Sequence, residues 1–244
     1  MTVRVIKNAG FCFGVSRALE LLNSEIQKGS ENLYTLGEII HNPDIIKDVT
    51  EAGVRIINDV NSLVCGDRLV VRAHGATVSE AERLGNAGVC VIDATCPFVS
   101  KIHEIVKKCS EKGDVILIGG NGIHPEVAGI KSRAVCSRVF SDSSELELLA
   151  ESEPELLAIS TTFVWQTTFN LQEFDKCNKI IKKRFKNTKV YDTICNATEL
   201  RQKQTIELAK ISDAMLIVGG KNSSNTNKLY EVAKRFCKTL KKYQ

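Results

Sequence analysis

Three short passages recur along the chain, and each places a cysteine where a strand would hand over to a helix. Val91-Ile-Asp-Ala-Thr-Cys96 resembles Val190-Tyr-Asp-Thr-Ile-Cys195, and Val3-Arg-Val-Ile6, a short β-rich run, leads more loosely to Cys12. A thiolate directly ahead of a helix is stabilised by free backbone N–H groups and by the positive end of the helix dipole. Three thiolates brought to one axis repel one another unless a cation or an iron cluster lies between them. The remaining cysteines (Cys65, Cys90, Cys109, Cys136, Cys177, Cys237) have no counterparts in register and read as ordinary small thiols. CxxC and CxxxC spacings are absent, so a metal site would have to gather its ligands from distant parts of the chain.

A second recurrence lies just downstream. Cys12 to Gly37, Cys96 to Gly120 and Cys195 to Gly220 are nearly equal steps, and each glycine opens a polar turn. The turns carry His41, His124 with Glu126, and Ser223-Ser224-Asn225. A further run, Arg68 to Val71, leads to His74, and its counterpart Leu156 to Thr162 leads to Gln166-Thr167-Thr168. Open α/β sheets bind ligands at such strand ends. Histidine, serine, threonine and asparagine together suit an anion rich in oxygens, a phosphate or diphosphate. The competing reading makes His41, His74 and His124 zinc ligands. Glu126 in an anion-binding turn is costly as a carboxylate, and so reads as a proton donor with a raised pKa.

The elements that must hold these residues follow from periodicity. After Cys12, Val15, Leu19, Leu22 and Ile26 share a helix face, closed by Gly29; after Cys96, Pro97 suits the first helical position and Phe98, Ile102, Ile105 and Cys109 share a face, closed by Gly113. The segment after Cys195 is more polar. Each unit is strand, cysteine, helix, strand and glycine turn, which implies parallel strands with crossovers. The units divide at 13–96, 97–194, and 195–244 together with 1–12. His103 is expected half-exposed, Trp165 in a loop, and the basic stretch Lys176 to Lys189 on a solvated helix face.

Composition narrows the class. Of 244 residues 43% are hydrophobic and 25% charged, with a net charge of +4, which suits a globular protein and does not point to a nucleic-acid binder. No apolar run predicts a membrane span, and the first residues lack a signal-peptide core. The cysteines are therefore expected reduced, in the cytoplasm.

Together the passages Ala9-Gly-Phe-Cys12-Phe-Gly, Gly37-Glu-Ile-Ile-His41-Asn-Pro, Arg72-Ala-His74-Gly, Asp93-Ala-Thr-Cys96-Pro, Gly122-Ile-His124-Pro-Glu126-Val, Gln166-Thr167-Thr168, Asp192-Thr-Ile-Cys195-Asn-Ala-Thr and Gly219-Gly-Lys-Asn-Ser223-Ser224-Asn225-Thr resemble the 4-hydroxy-3-methylbut-2-enyl diphosphate reductase family. The resemblance implies three pseudo-threefold-related α/β units with small, mostly parallel sheets around a central 4Fe–4S cluster ligated by Cys12, Cys96 and Cys195. It implies that His41, His74, His124, Ser223, Ser224 and Asn225 bind the diphosphate. Glu126 would supply the proton, Thr167 would hydrogen-bond near the substrate hydroxyl, and ferredoxin or flavodoxin would donate electrons. It also implies a third unit that lacks a further strand, because the stretch after Cys195 is about half as long as those between the earlier cysteines. Two other readings stay open: a shortened, inactive family member, and a zinc hydrolase with three cysteine ligands acting on a phosphorylated substrate.

Overall fold

The computed structural model describes residues 2–30 and 32–243. Short β-branched and leucine-rich runs separated by helices give small parallel sheets. In the first sheet β1 (Leu33–Leu36), β2 (Arg55–Ile57), β3 (Arg68–Val71) and β4 (Cys90–Asp93) stand in the order β2-β1-β3-β4. In the second, β5 (Val115–Gly119), β6 (Ser137–Phe140), β7 (Thr161–Trp165) and β8 (Thr188–Val190) repeat that layout as β6-β5-β7-β8. The third pairs β9 (Ala214–Val218) with β10 (Thr239–Tyr243). Every pairing is parallel.

Parallel neighbours need crossovers, and the helices supply them. α2 (Pro43–Glu51) and α3 (Val78–Asn86) serve the first sheet, α5 (Pro125–Lys131), α6 (Ser143–Ser152) and α7 (Leu171–Arg184) the second, and α9 (Ser224–Lys234) the third. Three more helices, α1 (Phe13–Gln27), α4 (Pro97–Ser110) and α8 (Asn196–Ile211), each precede the first strand of a sheet.

Side chains alternate across the strands as the pleat requires, so both four-stranded sheets are covered on two faces. Leu69 and Val71 join one core while Val70 joins the other. Ile116, Ile118 and Val164 likewise face away from Leu117, Phe163 and Trp165. The third sheet is one-sided: Ile217 packs on α9 through Leu229 and Ala233, whereas Leu216 and Val218 are exposed.

Several expectations are corrected. Residues 3–6 form no strand; Val3 and Val5 are exposed and pair with nothing among the described residues, and so short a run cannot hold a ladder alone. The strand expected from Leu156 lies at Thr161–Trp165, and residues 154–157 form a 3-10 turn after Pro154. Trp165 thus closes a strand, fully buried among Phe140, Phe163, Phe169 and Phe174. On α4 the buried stripe runs through Val99, Ile102, Val106 and Cys109, leaving Phe98 exposed. His103 falls on that stripe one turn after Val99 and is buried.

The tryptophan also dictates its neighbour. A Cβ on Gly119 would stand 2.2 Å from the Trp165 ring, which the aromatic cluster leaves no room to yield. Gly119→Ala is expected to cost about 1–3 kcal/mol by overpacking. A lowered urea midpoint at unchanged slope checks it.

Candidate active site

Cys12, Cys96 and Cys195 occupy the same structural position: each is the N-cap of the helix that precedes a sheet, with extended backbone. All three are half-buried free thiols. Cys195 Sγ accepts from the Thr198 N–H at 3.4 Å and lies 3.2 Å from its hydroxyl. A Cβ on Gly14 would come within 2.5 Å of Cys96 Sγ, so that glycine lets α1 approach the second thiol. Burial pushes the Cys96 thiol pKa up, and Cys12 and Cys195 add to it by like charge; the N–H groups of Phe98 and Val99 pull the other way.

The loops that carry them are fastened by backbone and arginine. Arg17 on α1 donates to the carbonyls of Thr95 (3.1 Å) and Asp93 (3.4 Å), just ahead of Cys96. Arg201 on α8 donates to those of Asn8 (2.9 Å) and Gly10 (2.6 Å), just ahead of Cys12. The Cys96 N–H donates to Ala73, beside His74, and the Cys195 N–H to Thr167.

A tetrahedral zinc ion would draw its thiolates to about 3.8 Å from one another, given its bond lengths. Among the described residues the group gathered tightly enough for one ion, within 4.8 Å, is His41, His74 and His124. Three free thiols at matching helix starts are the donor type that an iron–sulfur core takes.

The histidines meet ring to ring, with centroids 4.9 Å apart for His41 and His74, 5.0 Å for His74 and His124, and 6.1 Å for His41 and His124. His124 caps α5: its Nδ1 accepts the Glu126 N–H at 3.1 Å, so its proton sits on Nε2, a buried atom without a partner among the described residues. His74 Nδ1 is likewise buried and unpartnered. Burial, His124, His41 and Arg72 hold His74 well below the usual imidazole range, and burial, His41 and Arg72 hold His124 at about 4. Arg72 is the residue that sequence reasoning leaves out of the set, although it stands two positions ahead of His74. Its Nη1 fills the space where a Cβ on Gly37 (φ +67°) would lie, 2.1 Å away, and its Nε has no partner among the described residues. A guanidinium acting on His74 and His124 disfavours a metal cation and favours an anion at this cluster.

Glu126, in the first turn of α5, is 2% exposed. Its carboxylate oxygens accept from the Thr167 N–H (2.6 Å) and the Thr167 hydroxyl (2.8 Å). Burial outweighs both bonds and lifts its pKa to about 7.

The third unit reaches this region through the turn after β9. A Cβ on Gly220 would stand 1.9 Å from the His41 carbonyl oxygen, so only glycine permits that approach. Ser224 Oγ lies 2.7 Å from the Thr168 hydroxyl and 3.4 Å from Gln166 Nε2. Gln166 and Thr168 belong to a motif visible in the sequence, but only their contact with Ser224 places them at the site. The Ser223 hydroxyl caps α9 by accepting from the Thr226 N–H, and Asn225 beside it is half-buried.

Three parallel-sheet units, a triad of helix-capping thiols and a histidine–arginine cluster able to clamp an anion define a small class of α/β proteins. The chain belongs to the LytB protein family, which it matches over residues 3–241. It is 40% identical over 241 residues to a 4-hydroxy-3-methylbut-2-enyl diphosphate reductase from Caldanaerobacter subterraneus subsp. tengcongensis, covering 98% of this chain and 82% of that one. A reductase of the same name from Nautilia profundicola is 41% identical over 243 residues, covering 97% and 83%. Among solved structures, it resembles (E)-4-hydroxy-3-methyl-but-2-enyl diphosphate reductase, described as the terminal enzyme of the non-mevalonate pathway, with TM-score 0.72 and 34% identity over 99% of this chain and 85% of that one. The corresponding Plasmodium falciparum reductase gives TM-score 0.87 and 28% identity over 96% and 74%. No described helix is long and apolar enough to cross a membrane.

Glu126 makes stability depend on pH. Its carboxyl ionises near 4.5 when unfolded and near 7 when folded, so between those values the folded state holds a proton the unfolded chain has lost. Its contribution is complete below 4.5 and is lost as pH rises through 7. Glu126→Gln removes this loss, and relative to wild type the variant gains about 3 kcal/mol across that window. Urea unfolding at a series of pH values checks the difference.

Proposed function

We propose that the chain reductively dehydroxylates 4-hydroxy-3-methylbut-2-enyl diphosphate to isopentenyl and dimethylallyl diphosphates, the terminal step of the non-mevalonate pathway. Two electrons and two protons enter, the allylic C–O bond breaks, a C–H bond forms and water leaves. The observation that carries this reading is the join between the two halves of the site: Thr167 receives the Cys195 N–H on its carbonyl and clamps the Glu126 carboxyl with its own N–H and hydroxyl. A thiol ligand and a proton-bearing carboxyl are thereby fixed to one residue.

In this reading Cys12, Cys96 and Cys195 hold a 4Fe–4S cluster, which supplies the electrons when bound. His41, His74 and His124 take the diphosphate, His124 donating through its buried Nε2 and Arg72 adding positive charge. Ser223, Ser224 and Asn225 close over the same anion from the third unit. Glu126, protonated near neutral pH, gives its proton to the departing hydroxyl, and Thr167 orients both. Burial of Glu126 excludes the water that would otherwise share that proton. The external reductant is a ferredoxin or flavodoxin.

Protein purified without oxygen is expected to carry about four irons and four acid-labile sulfides per chain. It should oxidise reduced methyl viologen when given the diphosphate substrate. Zinc in place of iron, or no turnover by cluster-loaded protein, would sink the proposal. Glu126→Gln is expected to lower turnover at least ~100-fold while leaving diphosphate affinity nearly unchanged. A comparable loss of affinity would show that Glu126 binds rather than protonates.

A further inference from the structure

The histidines of the cluster are not equivalent, and a carboxylate outside the set makes the difference. Glu38, three residues ahead of His41 in the turn after β1, places Oε2 2.8 Å from His41 Nδ1. A carboxylate can only accept there, so the proton sits on Nδ1 and the neutral ring turns a bare lone pair outward at Nε2. His124 is the reverse: a backbone N–H occupies its Nδ1, which leaves Nε2–H free to donate. An anion's oxygens accept a neutral His124 and reject a neutral His41.

We infer that Glu38 is a positioning residue that makes His41 the charged member of the clamp, so that diphosphate binding takes up one proton at His41 Nε2. The inference rests on the diphosphate reading above and adds to it a residue and a proton. The surroundings of His41 agree. Glu38 is bonded to its Nδ1. The rings of His74, from the turn after β3, and His124, from the start of α5, face it as well, with Arg72 acting on both. Lys47 of α2 and Lys221 of the turn after β9 line the same cavity of about 370 Å³ as Glu38 and His41. An arriving anion adds negative charge beside His41 Nε2 and supplies the acceptor that a proton there would need. Glu38 then holds an imidazolium between two negative groups. His124 cannot play this part, because a second proton on its Nδ1 would cost the cap of α5.

Glu38→Gln tests the inference. Its amide N–H can donate to Nδ1, which moves the ring proton to Nε2 and lets a neutral His41 bind the anion. The probe is inorganic pyrophosphate, titrated calorimetrically into cluster-loaded protein at about pH 8, above the ordinary imidazole range, in buffers of different ionisation enthalpy. Wild type should take up about one proton more than Glu38→Gln. Its affinity should fall by about tenfold more per pH unit than the variant's above neutrality. Equal uptake by the two proteins, or none by wild type, would overturn the role of Glu38 while leaving the diphosphate site standing. Failure of loaded wild type to bind pyrophosphate at all would overturn both readings together.

Discussion

Three helices that begin at cysteine, two of them without a side-chain cap bond, are the constraint on which the rest of the structure depends. The first turn of any helix leaves N–H groups without intrahelical partners, and Ser, Thr, Asp or Asn ordinarily accepts from them. This chain uses those caps freely elsewhere, with Asn42, Thr77, Asp142, Asn170 and Ser223 all bonded to their helices. At α1, α4 and α8 it uses cysteine instead, and Cys12 and Cys96 close no full cap bond. A neutral thiol is a weak acceptor, so α1 and α4 each give up about 0.5–2 kcal/mol of capping. A thiolate recovers it, and a thiolate needs a counter-charge.

Holding three such turns together requires more than packing. Arg201 and Arg17 fasten the backbone ahead of Cys12 and Cys96 through carbonyls, each reaching from the helix that follows another of the cysteines. Hydrogen bonds to a charged donor are the strong kind, worth about 1.5–3 kcal/mol net. Because the Cys96 and Cys195 N–H groups end on Ala73 and Thr167, a shift of either thiol loop moves the residue beside His74 or the residue that clamps Glu126. The thiol loops and the residues beside His74 and Glu126 are one mechanical object.

The sequence shows this plan wherever a repeat exposes it. Cysteine, helix, strand and glycine recur at matched steps, so the three N-caps and the three polar turns are legible without coordinates. The raised pKa expected of Glu126 is legible too, and its cause in the structure is burial. Less visible are contacts that no repeat predicts. Arg72 matters because Gly37 leaves room for it, a fact of two distant turns. His103 reads as half-exposed when the helix face is phased on Phe98 rather than Val99, and a shift of one residue rotates the buried stripe. Trp165 falls outside a strand that is started too early, at a segment that Pro154 bends into a 3-10 turn.

Glu126 shows how closely the two halves are balanced. Its carboxyl accepts two hydrogen bonds from Thr167, either of which favours the ionised form, yet burial prevails and its pKa stands at about 7. Without those bonds, burial alone would leave the proton bound too firmly to give up; with water admitted, the bonds alone would strip it at neutral pH. The same residue's N–H fixes the His124 tautomer. One glutamate therefore sets the His124 tautomer through its backbone and holds a proton near neutral pH on its buried side chain.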